Sequence, residues 1–237
     1  MTEPSQMPTG TPAQRLIAWG VHLYTAMGLV LALVQLDALH QGDLPRFLGA
    51  NLIAVFIDGS DGTLARRFKV RERVPFDGAL LDNIVDYLTY VFVPALIVWQ
   101  AELVPVAFPV CAAMLLSSAY GFAHAEAKVE TGDHYFTGFP SYWNIAVAYL
   151  YVLGWPPAVN AAILVALAVL VFVPIRYVYP SRTRTLKTPT LVLGSAWAAL
   201  FAWLVWRLPY AGGPWVLVSL VFPVYYFALS LWLHSRR

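Results

Sequence analysis

Apolar residues in this chain come in runs of about twenty, and almost nowhere in the strict alternation that marks a half-buried strand. Short polar stretches bearing glycine or proline separate the runs, such as H-Q-G-D-L-P at 40–45 and G-W-P-P at 154–157. A run of that length crosses a bilayer as a helix. The pattern therefore predicts eight membrane helices, over 16–38, 45–65, 79–99, 103–123, 141–154, 157–178, 189–206 and 214–233. The fifth is short, and the second runs into charge at its end. The polar start, M-T-E-P-S-Q-M-P-T-G-T-P, lacks the basic n-region of a secretory signal. Residues 1–14 are expected to be a disordered cytoplasmic tail, with 15–237 forming one transmembrane domain.

Composition agrees with the pattern. Of the 237 residues, 59% are hydrophobic and 12% charged, where a soluble domain carries about 25% charged residues. The distribution of Lys and Arg sets the orientation. With the N-terminus inside, Arg15, Arg66, Arg67, Lys69, Arg71, Arg73, Lys128, Arg176, Arg182, Arg184, Lys187, Arg236 and Arg237 fall on the cytoplasmic side. Only Arg46 and Arg207 fall outside, which places both termini in the cytoplasm. The net charge of +2 follows this topology and gives no nucleic-acid signal. A single cysteine, Cys111, lies inside the fourth run, so an intramolecular disulfide and two-cysteine metal motifs are excluded. No internal repeat points to a transporter built from inverted halves.

Against this apolar background stand F-I-D-G-S-D-G-T-L-A-R at 56–66 and F-D-G-A-L-L-D-N-I-V-D-Y-L-T-Y at 76–90. Asp58 and Asp61 are spaced i,i+3, and Asp82 and Asp86 i,i+4, so each pair shares one helix face. Gly62 and Ala65 lie on the face of the first pair, and Gly78 one turn before Asp82. Both pairs fall at the cytoplasmic ends of consecutive spans joined by a short loop, so antiparallel neighbours would bring four carboxylates together. A single aspartate here would simply cap a helix end. Four together repel unless cations lie between them, and ionisable groups at membrane depth mark function by default. Carboxylate oxygens suit hard divalent ions, Mn²⁺ or Mg²⁺, which in turn favour phosphates. An EF-hand loop is excluded, because the acids do not alternate as D-x-D-x-D-G.

Asp58-x-x-Asp61-Gly62-x-x-Ala65-Arg66 followed by Gly78-x-x-x-Asp82-x-x-x-Asp86 resembles the signature of the CDP-alcohol phosphatidyltransferases. Eleven residues separate Arg66 from Gly78, three more than is usual in that family. The longer spacing, the eight spans and the stretch G-F-P-S-Y-W-N at 138–144 resemble the branch of the family whose acceptor is choline. The resemblance implies an all-α polytopic membrane enzyme with the family's helical core and two extra helices. It implies transfer of the phosphatidyl group from CDP-diacylglycerol to choline with release of CMP, at the cytoplasmic face of a bacterial inner membrane. Two divalent ions, Mn²⁺ or Mg²⁺, would be held by Asp58, Asp61, Asp82 and Asp86, with Asp86 also the general base. Asp58, Gly62, Ala65, Arg66, Gly78 and Asp82 would line the CDP-diacylglycerol site.

A quaternary ammonium donates no hydrogen bonds and is held by aromatic faces. The stretch H-Y-F-T-G-F-P-S-Y-W-N makes Tyr142 and Trp143 the first candidates for choline, with Tyr135, and with Glu126 as an added carboxylate. Aromatic belts at span ends are the competing explanation. Asp77 fits a turn role, and His124 and His134 an interfacial one. Partners are expected to be these two substrates and the bilayer, with a homodimer left open and no nucleic acid. Two rivals stay open: a sister transferase using serine, inositol or glycerol 3-phosphate, and a cation transporter using the same acids.

Overall fold

The computed structural model describes residues 10–123, 128–129, 135–180, 183–208 and 213–236. Helix α1 (Pro12–Gln41) opens on a capping box in which Thr11 and Gln14 satisfy each other's backbone N–H groups. Helix α2 (Leu44–Arg67) starts from Asp43, whose carboxylate accepts from the Arg46 N–H at 3.1 Å. After a helical turn at Val70–Arg73, helix α3 (Gly78–Gln100) begins on Asp77, which caps the Leu80 N–H at 3.0 Å. Asp77 thus has the turn role its position implied.

Within α3 the residues Tyr87–Phe92 form a π-helical turn, and the Val93 N–H reaches back to the Leu88 carbonyl. Pro94 follows directly. It lacks an N–H for the fourth carbonyl back, and the widened turn accommodates that loss. Beyond it lie α4 (Ala107–Ala123), β1 (Lys128–Val129), β2 (Tyr135–Thr137), α5 (Trp143–Leu153) and α6 (Pro157–Phe172). The chain closes with β3 (Arg176–Val178), α7 (Lys187–Trp206) and α8 (Pro214–Ser235). Helix α8 breaks at Leu220, where Pro223 leaves the Ser219 carbonyl without its helical donor.

Each of the eight apolar runs is a helix. Four of them, α1, α3, α7 and α8, meet the length and apolarity needed to cross a membrane. Helix α2 is long enough but carries the acids and arginines, and α4, α5 and α6 are shorter. Phe56, Phe108, Leu116 and Trp206 are each at least 70% exposed. Large apolar side chains turned outward in this way are stable only in a lipid solvent, and the chain is a multi-pass membrane protein. One expectation is corrected: the sixth run ends as helix at Phe172, not at 178, because Pro174 stops it. Residues 176–178 instead form β3, antiparallel to β2 with Phe136 opposite Tyr177. This small sheet is fastened to α8, where the Val178 N–H donates to Ser230 Oγ at 3.1 Å and the Tyr226 hydroxyl donates to the Val178 carbonyl at 3.0 Å.

Polar contacts tie the bundle together where lipid offers no competing partner. Trp197 donates to the Tyr149 hydroxyl, which donates to Ser219, linking α7, α5 and α8 at 2.8 Å per step. Tyr87 of α3 donates to the Leu115 carbonyl of α4 at 2.9 Å. Cys111 is buried against α3, as expected for an apolar role.

Helices α1, α2 and α3 form the part that matters most for the site. Gly28 of α1 lies directly against Val85 of α3, and a Cβ there would overlap a Val85 methyl. The Gly28→Ala variant should therefore lower thermal stability in detergent, by ~1–3 kcal/mol as for an overpacked core. Gly28→Ala/Val85→Ala should recover more than half of that loss, measured by denaturant titration of both variants.

Candidate active site

The antiparallel pairing of α1 with α2, and the close approach of α1 to α3, put the acids at one level. Asp58 and Asp61 come from the last turns of α2, and Asp82 and Asp86 from the first turns of α3. All four line one crevice of about 220 Å³ of empty space, together with Thr25, Gly28 and Thr89. Ligand oxygens of Asp58, Asp82 and Asp86 all lie within 4.8 Å of one another. Oxygen-only donors at that spacing fit a hard divalent cation, and among the described residues lining the crevice none offers a side-chain nitrogen or sulfur.

Asp61 is the most buried of the four, 7% exposed, and is held from two sides. The Thr25 hydroxyl donates to its Oδ2 at 2.8 Å, and Asp82 lies within hydrogen-bonding reach. The adjacent Tyr24–Ser60 hydroxyl pair, 2.8 Å apart, fixes α1 against α2 one residue away. On the other side of the crevice the Tyr90 hydroxyl donates to Asp58 Oδ2 at 2.7 Å. Neither Thr25 nor Tyr90 was singled out from sequence. Tyr90 could have been, since it continues the Asp82–Asp86 spacing by another four residues.

The residues expected to line a nucleotide site divide. Gly62 opens to free space, where an added Cβ would meet only Arg66 Nη1, at 3.3 Å. Arg66 is exposed, donates to Thr63 Oγ1 at 3.1 Å and lies within electrostatic reach of Asp61. Ala65 is half-buried and packs on the small cluster of Ala18, Val21, Val70 and Val74, so its size serves helix contact as well. Gly78 receives the ring of His22, which would collide with a Cβ there. That ring is buried between Trp19 and Phe76.

An aromatic wall stands beside the acids. Tyr142 lies within electrostatic reach of Asp58 and Asp86. Its ring is 6.0 Å from Tyr90, 5.9 Å from Tyr226 and 6.3 Å from Phe136, and Phe136 stacks on Tyr179 at 4.6 Å. Of the four expected choline contacts, Tyr142 stands here. Trp143 does not: it is fully buried, packs edge-on against Phe139, and its indole N–H is taken by Ser118 at 2.7 Å. Tyr135 sits on the opposite face of β2 from Phe136, because side chains alternate along a strand. Glu126, like His124 and His134, lies outside the described residues. Gly138 sets the approach of the wall, with φ at +81° and no room for a Cβ against the Val171 carbonyl.

A family model for the CDP-alcohol phosphatidyltransferases matches residues 21–174. The phosphatidylcholine synthase of Pseudomonas aeruginosa is 36% identical over 234 residues, covering 96% of this chain and 96% of that protein. That of Legionella pneumophila is 38% identical over 235 residues, covering 95% and 91%. That of Borreliella burgdorferi is 38% identical over 179 residues, covering 74% and 76%.

Four carboxylates in one crevice destabilise the protein when no cation neutralises them. Asp82→Asn removes one charge and places an amide N–H donor beside Asp61. In EDTA this variant should melt above the wild type. On addition of Mn²⁺ the wild type should gain several degrees, by linkage to binding, while the variant gains much less. Thermal melts in detergent with and without Mn²⁺ test both halves.

Proposed function

The chain belongs to the CDP-alcohol phosphatidyltransferase family, and from that premise we propose that it transfers the phosphatidyl group of CDP-diacylglycerol to choline and releases CMP. The phosphatidylcholine synthases that align over nearly the full chain support the reaction. The observation that carries the acceptor is the wall of Tyr142, Tyr90, Phe136 and Tyr226 beside Asp58 and Asp86. Its ring faces suit a trimethylammonium held next to the reacting centre.

Asp58, Asp61, Asp82 and Asp86 would hold two divalent ions, Mn²⁺ or Mg²⁺. Bound there, the ions supply Lewis-acid neutralisation of the donor's pyrophosphate. The open strip beside Gly62 admits the nucleotide, and the Arg66 guanidinium forks toward its phosphates. The Asp86 carboxylate takes the proton from the choline hydroxyl as that oxygen bonds to the phosphorus bearing diacylglycerol. The bond from that phosphorus to the CMP oxygen breaks on the far side, and CMP leaves. Holding both substrates in line provides much of the remaining acceleration.

The basic stretch next to the aspartates, Arg66, Arg67, Lys69, Arg71 and Arg73, supports placing this end at the cytoplasmic face. At the other end Arg46 is neutralised by Asp37 at 2.8 Å, and Arg207 lies over the Trp203 ring at 5.4 Å. The bacterial relatives support an inner-membrane location.

Purified protein given CDP-diacylglycerol, Mn²⁺ and a panel of alcohols should yield phosphatidylcholine from choline and little product from serine, inositol or glycerol 3-phosphate. A serine or inositol lipid as the main product would overturn the acceptor. In the same assay Asp86→Asn should lower turnover by at least ~100-fold, the scale of general-base catalysis. Tyr142→Leu should raise the choline KM by roughly 2- to 30-fold while the KM for CDP-diacylglycerol stays nearly fixed, since the ring quadrupole is lost together with the hydroxyl's hydrogen bond to Tyr226. A normal choline KM in that variant would move the cage elsewhere.

A further inference from the structure

We infer that Tyr90 is the positioning residue for Asp58: its hydroxyl fixes one carboxylate oxygen, and thereby sets how tightly the cluster of acids binds a divalent ion. The inference rests on the metal reading given above. The Tyr90 side chain is buried, 6% exposed, and donates to Asp58 Oδ2 at 2.7 Å across the α2–α3 contact. A carboxylate with one oxygen held in this way no longer spins about its own axis, so its remaining lone pairs keep a fixed direction. Asp58, Asp82 and Asp86 all offer oxygens to one another's neighbourhood, and Asp58 is the one that comes from α2. Its orientation therefore decides whether, within this group of three, the carboxylate from α2 meets the two from α3.

Backbone geometry points the same way. Four residues of α-helix overshoot a full turn, so in a regular helix Tyr90 would drift off the face of Asp82 and Asp86. The π-helical turn at Tyr87–Phe92 rotates less per residue and returns Tyr90 to that face. Outer partners of metal ligands govern affinity by ~10- to 100-fold.

The test is binding of Mn²⁺ to the detergent-purified full chain, read from the loss of the free-ion electron paramagnetic resonance signal with no lipid or acceptor present. Tyr90→Phe keeps the ring and should weaken Mn²⁺ binding by ~10-fold or more. Tyr87→Phe removes a hydroxyl from the same helix that ties α3 to α4, and should leave the isotherm unchanged. In the Asp58→Asn background, Tyr90→Phe should add no further loss, because its effect passes through Asp58. An unchanged isotherm in Tyr90→Phe, or full additivity with Asp58→Asn, would overturn the inference while leaving the metal reading intact. A wild type that binds no Mn²⁺ would overturn both. The acceptor plays no part in this measurement, so an error about choline shows only in the product assay.

Discussion

The packing of α1, α2 and α3 holds four carboxylates together at one level of a low-dielectric environment. Isolated charges there are expensive, and neighbouring like charges more so. The chain meets the constraint with donors and geometry: Thr25 on Asp61, Tyr90 on Asp58, and a glycine that lets α1 close on α3. The first three helices are therefore less a scaffold with a site attached than a site whose demands dictate how they pack. Helix α2 shows this best, since it fails the apolarity expected of a membrane span because it carries the acids.

The aspartates were legible in the sequence because their spacing is helical and their setting apolar, so period and cost both flagged them. Eight helices were legible for the same reason: twenty apolar residues have few alternatives in lipid. The sheet was not. Its strands are two and three residues long, too short for alternation to register, and β3 sat inside an apolar run until Pro174 is read as a stop. Tyr142 and Trp143 are neighbours with nearly identical sequence credentials, and only packing separates them: one ring joins the wall beside the acids, the other is enclosed behind Ser118. Thr25 and Tyr226 carried no signal at all, since a lone threonine or tyrosine in an apolar helix becomes meaningful only through what stands opposite.

The crevice and the aromatic wall beside it are built largely by different stretches of chain, with Tyr90 of α3 joining the two. The acids and their donors belong to α1, α2 and α3, whereas the aromatic wall draws on β2, the start of α5, the residue after β3, and α8. The small sheet is what carries Phe136 to Tyr142, and its anchorage through Ser230 and Tyr226 makes the wall depend on the last helix.

The family model's match to this chain ends at residue 174, yet Tyr179, Tyr226 and Ser230 all lie past it. All four acids thus lie inside the matched stretch, whereas part of the aromatic wall beside them is supplied from beyond it. If the wall meets the acceptor as proposed, changes confined to the stretch after residue 174 would alter the pocket for the headgroup while leaving the four acids where they are.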